Sequence, residues 1–176
     1  MIIGVSNKSK DTQGLLKKLK ENALKSIEIV KDKVTNFNLY DERNIRNISH
    51  LDYLEDYLKP YFTAAVGNYK ITMDAKKEFS SSNLNINKIS DLMNSHHNYL
   101  KKDLKITTSE IDKMIDISLE NGAIGCKIVG SGGGGSIVSL STNSNTSNKI
   151  VSKLKGIGVK DAFIARKGSG PSIYYE

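Results

Sequence analysis

The chain contains one cysteine, two prolines and three arginines, and no apolar run approaches the 18 or more residues a membrane span requires. Each scarcity excludes something. A single thiol, Cys126, cannot staple a fold, and inside an apolar strand it reads as inert core. The N-terminus MIIGVSNKSK lacks the charged-then-apolar order of a signal peptide, so a cytoplasmic protein with no membrane contact is expected. A net charge of +7 invites a nucleic-acid reading. Arginine occurs only at 43, 46 and 166, however, and lysines are scattered along every amphipathic segment instead of clustering. That distribution describes solvated helix surface and excludes nucleic acid as the expected partner, while its modest positive field still draws small anions.

What is present describes one domain over residues 1–176. The length allows a sizeable core, and the 38% hydrophobic share and mean hydropathy of −0.37 suit a soluble chain. Ile2 to Val5 reads as a strand beginning almost at the first residue, with Asp11 capping a helix over 12–31 whose apolar stripe is Leu15, Leu16, Leu19, Ala23, Ile27 and Val30. Residues 34–50 are polar and irregular, with a short helix near Asp41 to Ile48 and His50 as a solvated turn residue. A long helical pattern runs from Leu51 to Phe79, which Pro60 should kink or split. SSSNLN at 80–85 breaks the pattern. A helix over Asn87 to Lys102 follows, with Ile89, Leu92, Met93, His96 and Leu100 on one face. His96 and His97 point about 100° apart there, and no Cys or Glu at ligand spacing joins them, so no metal site is expected.

Thr107-Thr108-Ser109-Glu110 reads as a capping box in which Thr107 and Glu110 satisfy orphan amides reciprocally. The helix it opens ends at Asn121-Gly122, a left-handed cap. Next come two β-branched runs, AIGCKIV and SIVSL, with Ile124, Cys126 and Ile128 facing one way and Lys127 and Val129 the other. STNSNTSNK at 141–149 is a polar loop, Lys149 to Leu154 a short helix, and strands at Ala162 to Ala165 and Ser172 to Tyr175 finish the chain. The glycines of RKGSGP between them read as a turn before Pro171. Two strands joined by a tight loop are antiparallel, and the element count predicts an α+β two-layer domain with helices packed on one face of an antiparallel sheet.

Between the two β-branched runs, Gly130, Gly132, Gly133, Gly134 and Gly135 fall within six positions, interrupted only by Ser131. Ordering each costs roughly 0.5–1 kcal/mol more than alanine, or about 3–5 kcal/mol in all, and a two-residue turn would connect the strands without it. The run therefore predicts positive φ at successive positions or close approach of another backbone, and successive amides in such a turn can form an anion-binding concavity. A flexible connector is the plain alternative. The run satisfies G-x-G-x-x-G, but a strand follows it where a dinucleotide fingerprint needs a helix, and a protein-kinase loop would need V-A-I-K, H-R-D and D-F-G, which are absent.

The stretch from LMNSHHNYL through KITTSEIDKMIDISLENGAIGCKIVGSGGGGSIVSL resembles the C-terminal part of the GHMP kinase superfamily of galactokinase, homoserine kinase and mevalonate kinase. Gly122-Ala123-Ile124-Gly125-Cys126-Lys127 stands where the superfamily carries a Gly-Ala-x-Gly-Ala-Lys run, and Gly130 to Gly135 where its glycine loop lies. Leu92-Met93 with His96-His97 and Leu100, and NYKITMDA at 68–75, are similar to the galactokinase branch; Lys8, Lys10 and Asp11-Thr12 echo its Lys-Asp-Thr turn. Val129 departs from the Thr common before the first loop glycine. The resemblance implies a ferredoxin-like C-terminal domain of an ATP-dependent, Mg²⁺-using kinase that phosphorylates a hydroxyl of a small molecule such as a sugar. It also implies an N-terminal catalytic domain as partner, absent from this sequence: neither Pro60 nor Pro171 begins a Pro-x-Gly-x-Gly-Leu-Ser-Ser-Ser-type loop, and no Gly-Glu-His-x-Asp-like run occurs. No catalytic residue is therefore assigned to this chain. Gly130, Ser131, Gly132, Gly133, Gly134 and Gly135 are expected to support the phosphate loop of the other domain, with Lys127 adding charge toward the cleft and one of His96 and His97 packing or hydrogen bonding. A non-catalytic α+β module that binds an anion or a protein partner is the alternative.

Overall fold

The computed structural model describes residues 1–8, 13–41, 48–166, 168 and 170. Ile2–Val5 forms β1 and Gln13–Lys33 forms α1. A 3-10 turn at Ile48–Tyr53 leads into α2, Lys59–Phe79, followed by α3, Ile86–Asn98, which runs on through a π turn at Tyr99–Asp103. Then come α4 (Ser109–Glu120), β2 (Gly125–Val129), β3 (Ser136–Leu140), α5 (Ser144–Gly156) and β4 (Asp161–Ile164). The strands make one sheet in the order β2-β3-β1-β4, with every neighbouring pair antiparallel. This is the expected α+β arrangement.

Strand alternation puts Ile2, Cys126, Ile128, Ile137 and Ala162 on one face, where Ile111, Met114 and Ile115 of α4 and Ile150 and Leu154 of α5 bury them. Each fully buried aliphatic side chain contributes about 1.5–3 kcal/mol, so this interface dominates stability. Gly4 leaves room for it: a Cβ there would lie 2.9 Å from Met114 Cε. A second cluster, Val30, Phe37, Leu54, Leu58, Phe62 and Val66, fastens α1 to α2. At the α2–α3 turn the buried carboxylate of Glu78 accepts from Asn85 N at 2.7 Å and pairs with Lys88 Nζ at 3.0 Å, while Asn85 caps α3 through Asn87 N and Lys88 N.

Several expectations are corrected. The pattern expected over 51–79 is split beside Pro60, into the 3-10 turn that ends at Tyr53 and α2 from Lys59, but no helix is kinked: Pro60 sits in the first turn of α2, where a missing N–H breaks no intrahelical bond and its fixed φ suits entry. His50 is not solvated. It is 3% exposed and stands edge-on to Phe37 with ring centroids 5.4 Å apart, and Asn36, at φ +61°, lies just before that phenyl ring. The loop expected over 141–149 is mostly helix, because Asn143 Oδ1 accepts from Thr146 N at 2.9 Å and starts α5 at Ser144. The capping box is also displaced. Thr108, not Thr107, caps α4 by accepting from Ile111 N, and Glu110 does not reciprocate. Its Oε1 accepts instead from Asn7 N at 2.8 Å and Asn7 Nδ2 at 3.1 Å, and the same Nδ2 donates to Gly158 O at 2.7 Å. Glu110 thus ties the segment after β1 to α4 and to the end of α5. The Asp11 cap, Lys10 and Thr12, most of the helix expected near 41–48, the turn at Pro171 and the strand at 172–175 lie outside the described residues.

Candidate functional site

The site is built at the end of the sheet where β2 turns into β3. Gly122, at φ +101°, ends α4 with its N–H donated to Leu119 O and releases the chain into β2. After Val129 the backbone takes φ of +83°, +82°, +73°, +131° and +89° at Gly130, Gly132, Gly133, Gly134 and Gly135, as the clustered glycines led us to expect. The loop is no flexible connector. Gly133 N donates to Ile106 O at 2.8 Å, Gly135 N to Ser6 Oγ at 3.0 Å, and Ser6 N to Gly135 O at 2.7 Å. A Cβ on Gly132 would lie 2.7 Å from Ile106 O, and one on Gly134 would lie 2.9 Å from Lys8 O. Close backbone approach to the glycines comes from this chain's own Ile106 and Lys8. The amides of Gly130, Ser131, Gly132 and Gly134 have no acceptor among the described residues. A fixed turn with unspent, successive N–H groups is a surface suited to an anion or to an anion-gripping backbone.

Lys127 is placed elsewhere. It points away from Cys126 and Ile128 into an apolar groove of about 420 Å³ between α2 and α3, lined by Phe79, Ile89, Leu92, Met93 and His96 among others, and no loop glycine lines that groove. Its Nζ donates to Ile128 O at 2.9 Å. Burial lowers the Lys127 ammonium from its ordinary value, and burial, the Lys127 charge and His97 together push His96 down to about 4. His97 faces inward. Its ring nitrogens have no partner among the described residues, and burial, helped by the Lys101 and Lys127 charges, lowers its pKa against the opposing pull of Asp112 and Asp116. Packing is thus its observed role.

Sequence reasoning missed Asn94. Among the described strands β2 lies at an edge, and where a further strand would pair with it, Asn94 Oδ1 accepts from Cys126 N at 2.9 Å while its Nδ2 donates to Ile124 O at 3.2 Å. One side-chain amide thereby does the work of a peptide group of the absent neighbour. Gly125 lets α3 come this close, since a Cβ there would lie 2.8 Å from Ser90 Cα. The available signal was a pair of polar residues, Ser90 and Asn94, four apart on a helix and beside the apolar Ile89 and Met93.

The histidine environment has a pH consequence. A group whose pKa falls on folding favours the folded chain above its unfolded value, and that advantage is lost as pH drops toward the folded value. For His96 the window runs from about 6.5 down to about 4. The melting temperature of the chain is expected to fall across it, and His96→Asn should flatten the slope there; parallel slopes in a pH-resolved melting series would contradict the assignment.

Residues 80–160 match the family described as "GHMP kinases C terminal". Galactokinase of Dictyostelium discoideum is 39% identical over 59 residues, covering 34% of this chain and 12% of that protein. Among solved structures, Lactococcus lactis galactokinase complexed with galactose superposes with a TM-score of 0.72 at 19% identity, over 92% of this chain and 43% of that one. L. major mevalonate kinase in complex with R-mevalonate superposes with a TM-score of 0.52 at 15% identity, over 92% and 40%. The chain spans less than half the length of each of these relatives. Among the described residues no helix is long and apolar enough to cross a membrane.

Proposed function

We propose, because this chain belongs to the GHMP kinase superfamily as a galactokinase-like C-terminal domain, that it is the C-terminal part of an ATP-dependent kinase. Its acceptor is a hydroxyl of a small molecule, a sugar of the galactose class, and it works in the cytoplasm with an N-terminal half that carries the catalytic residues. The observation that carries the reading is the glycine loop: five positive φ values in six residues, locked on both sides by Ile106 and the Ser6–Lys8 segment. Held this way, Gly130 to Gly135 offer a second loop a fixed backbone with no side chain but that of Ser131, and their unspent amides suit a partner that bears phosphate. Phosphoryl transfer rests mainly on positioning and charge stabilisation, so a fixed backbone behind the triphosphate loop is a sufficient task for this half.

When bound, MgATP supplies the γ-phosphoryl group. Among the described residues no group of three His, Cys, Asp or Glu side chains stands together, and we assign Mg²⁺ and the greater part of ATP to the N-terminal half. Docking of that half is supported by the sheet face away from the helices, where cross-strand pairing sets Phe163, Ile3 and Val138 in one row and the first of them is 45% exposed. Such a row is the kind of surface a partner covers.

A self-sufficient module that binds an anion is the reading to be separated. Thermal melting of the chain alone with MgATP tests it: a ligand present at 100 times its Kd adds about 2.7 kcal/mol of stability. The proposal expects no shift with MgATP until the N-terminal half is added. A concentration-dependent rise for the chain alone contradicts it.

A further inference from the structure

The groove between α2 and α3 lies apart from the glycine loop, and none of its properties is needed by the kinase reading. Its volume of about 420 Å³ falls within the roughly 300–1,000 Å³ typical of small-molecule pockets. The walls are Ile71, Ala75, Phe79, Ile89, Leu92 and Met93, carbon nearly throughout. Lys76 from α2 and Lys127 from β2 provide its charge, with the imidazole of His96 from α3 beside them and no acidic residue among the lining. Lys127 is the unusual member. An ammonium has three N–H bonds to give, and the observed partner of this one is a neutral carbonyl, Ile128 O. No carboxylate pairs with it among the described residues.

A half-buried cation in an apolar wall, without a counter-charge, is costly in the free chain. A ligand with one negative head and a hydrocarbon body removes that cost and covers the carbon surface at the same time. Neither a wholly apolar ligand nor a polyanion fits both halves of the lining. We propose that this groove is a binding site for a small amphipathic carboxylate, its hydrocarbon chain lying along Leu92, Met93 and Phe79 and its carboxylate accepting from Lys127 Nζ.

Calorimetric titration of the full chain with decanoate, decanol and decylammonium tests the site. Saturable 1:1 binding of decanoate is expected, at least about tenfold weaker for decanol, with none for decylammonium, because a hydrogen-bonded charge pair is lost in each. Lys127→Met should weaken decanoate at least tenfold, whereas Lys113→Met, on the far helix α4, should leave it unchanged. A measurement on the unaltered chain guards against misfolded variants: with ¹³C-methyl methionine, decanoate should move the Met93 signal and leave that of core Met114 in place. Equal affinity for decanol, unaltered binding by Lys127→Met, or no Met93 shift at saturating decanoate overturns the proposal. So does a groove closed by self-association, seen as a dimer in sedimentation that decanoate does not dissociate. These readouts are of binding by the chain alone and stand whether or not it takes part in phosphoryl transfer.

Discussion

A Gly132→Ala chain is expected to melt about 5–15 °C below the parent. Two costs add. At φ +82° an L-residue occupies strained backbone, at about 1–3 kcal/mol. Its Cβ would also meet Ile106 O at 2.7 Å, and that oxygen is the acceptor of Gly133 N, so moving it away to make room gives up a hydrogen bond of about 1 kcal/mol. The sum, roughly 2–4 kcal/mol, converts at about 2–4 °C per kcal/mol for a chain of this size. Gly14→Ala is the internal comparison. That glycine lies exposed in α1 with nothing near its missing Cβ, so alanine should stabilise by about 0.5–1 kcal/mol through helix propensity. Calorimetry on both chains checks the contrast; similar shifts would mean that the loop is not held as described.

Asn94→Asp should cost nearly as much, although it changes a single group. The acceptor Oδ1 that takes Cys126 N is retained, but the donor to Ile124 O is replaced by a carboxylate oxygen facing a carbonyl oxygen. Asn94→Leu leaves both main-chain groups of the β2 edge unpaired at about 1–3 kcal/mol each, for a loss of roughly 2–6 kcal/mol. Hydrogen exchange locates the effect: the Cys126 amide should lose protection in Asn94→Leu while the Ile137 amide, inside the sheet, keeps its own. Uniform loss across the sheet would instead indicate global destabilisation with no special role at the edge.

What was legible in the sequence were the features with short-range chemical causes. Glycines at five of six positions announced their own φ values, Asn121-Gly122 announced the end of α4, and the alternation Cys126, Lys127, Ile128 placed each side chain on the observed face. What was not legible depended on partners distant in the chain. Glu110 looked like half of a capping box, yet Asn7, 103 residues away, takes its carboxylate. His50 looked like a turn residue until Phe37 enclosed it. The Ser90 and Asn94 spacing marked a polar stripe but not its partner, a strand 30 residues on, and Ser144 to Asn148 looked like loop because polar composition outweighed the single cap at Asn143. The glycine loop itself carried both lessons: its backbone was foreseeable, whereas the groups packed against it, Ile106 and Lys8, were not. Lys127 stood beside that loop in sequence, and strand alternation set it in the groove between α2 and α3.

If this chain is one half of a kinase active site, turnover of ATP with galactose depends on both halves. The chain alone should give none, and the rate should appear when an N-terminal half from a galactokinase-like enzyme is supplied, then fall when Gly134→Ala disturbs the loop. Turnover by the chain alone, or the same rate with the chain left out of the mixture, would contradict it.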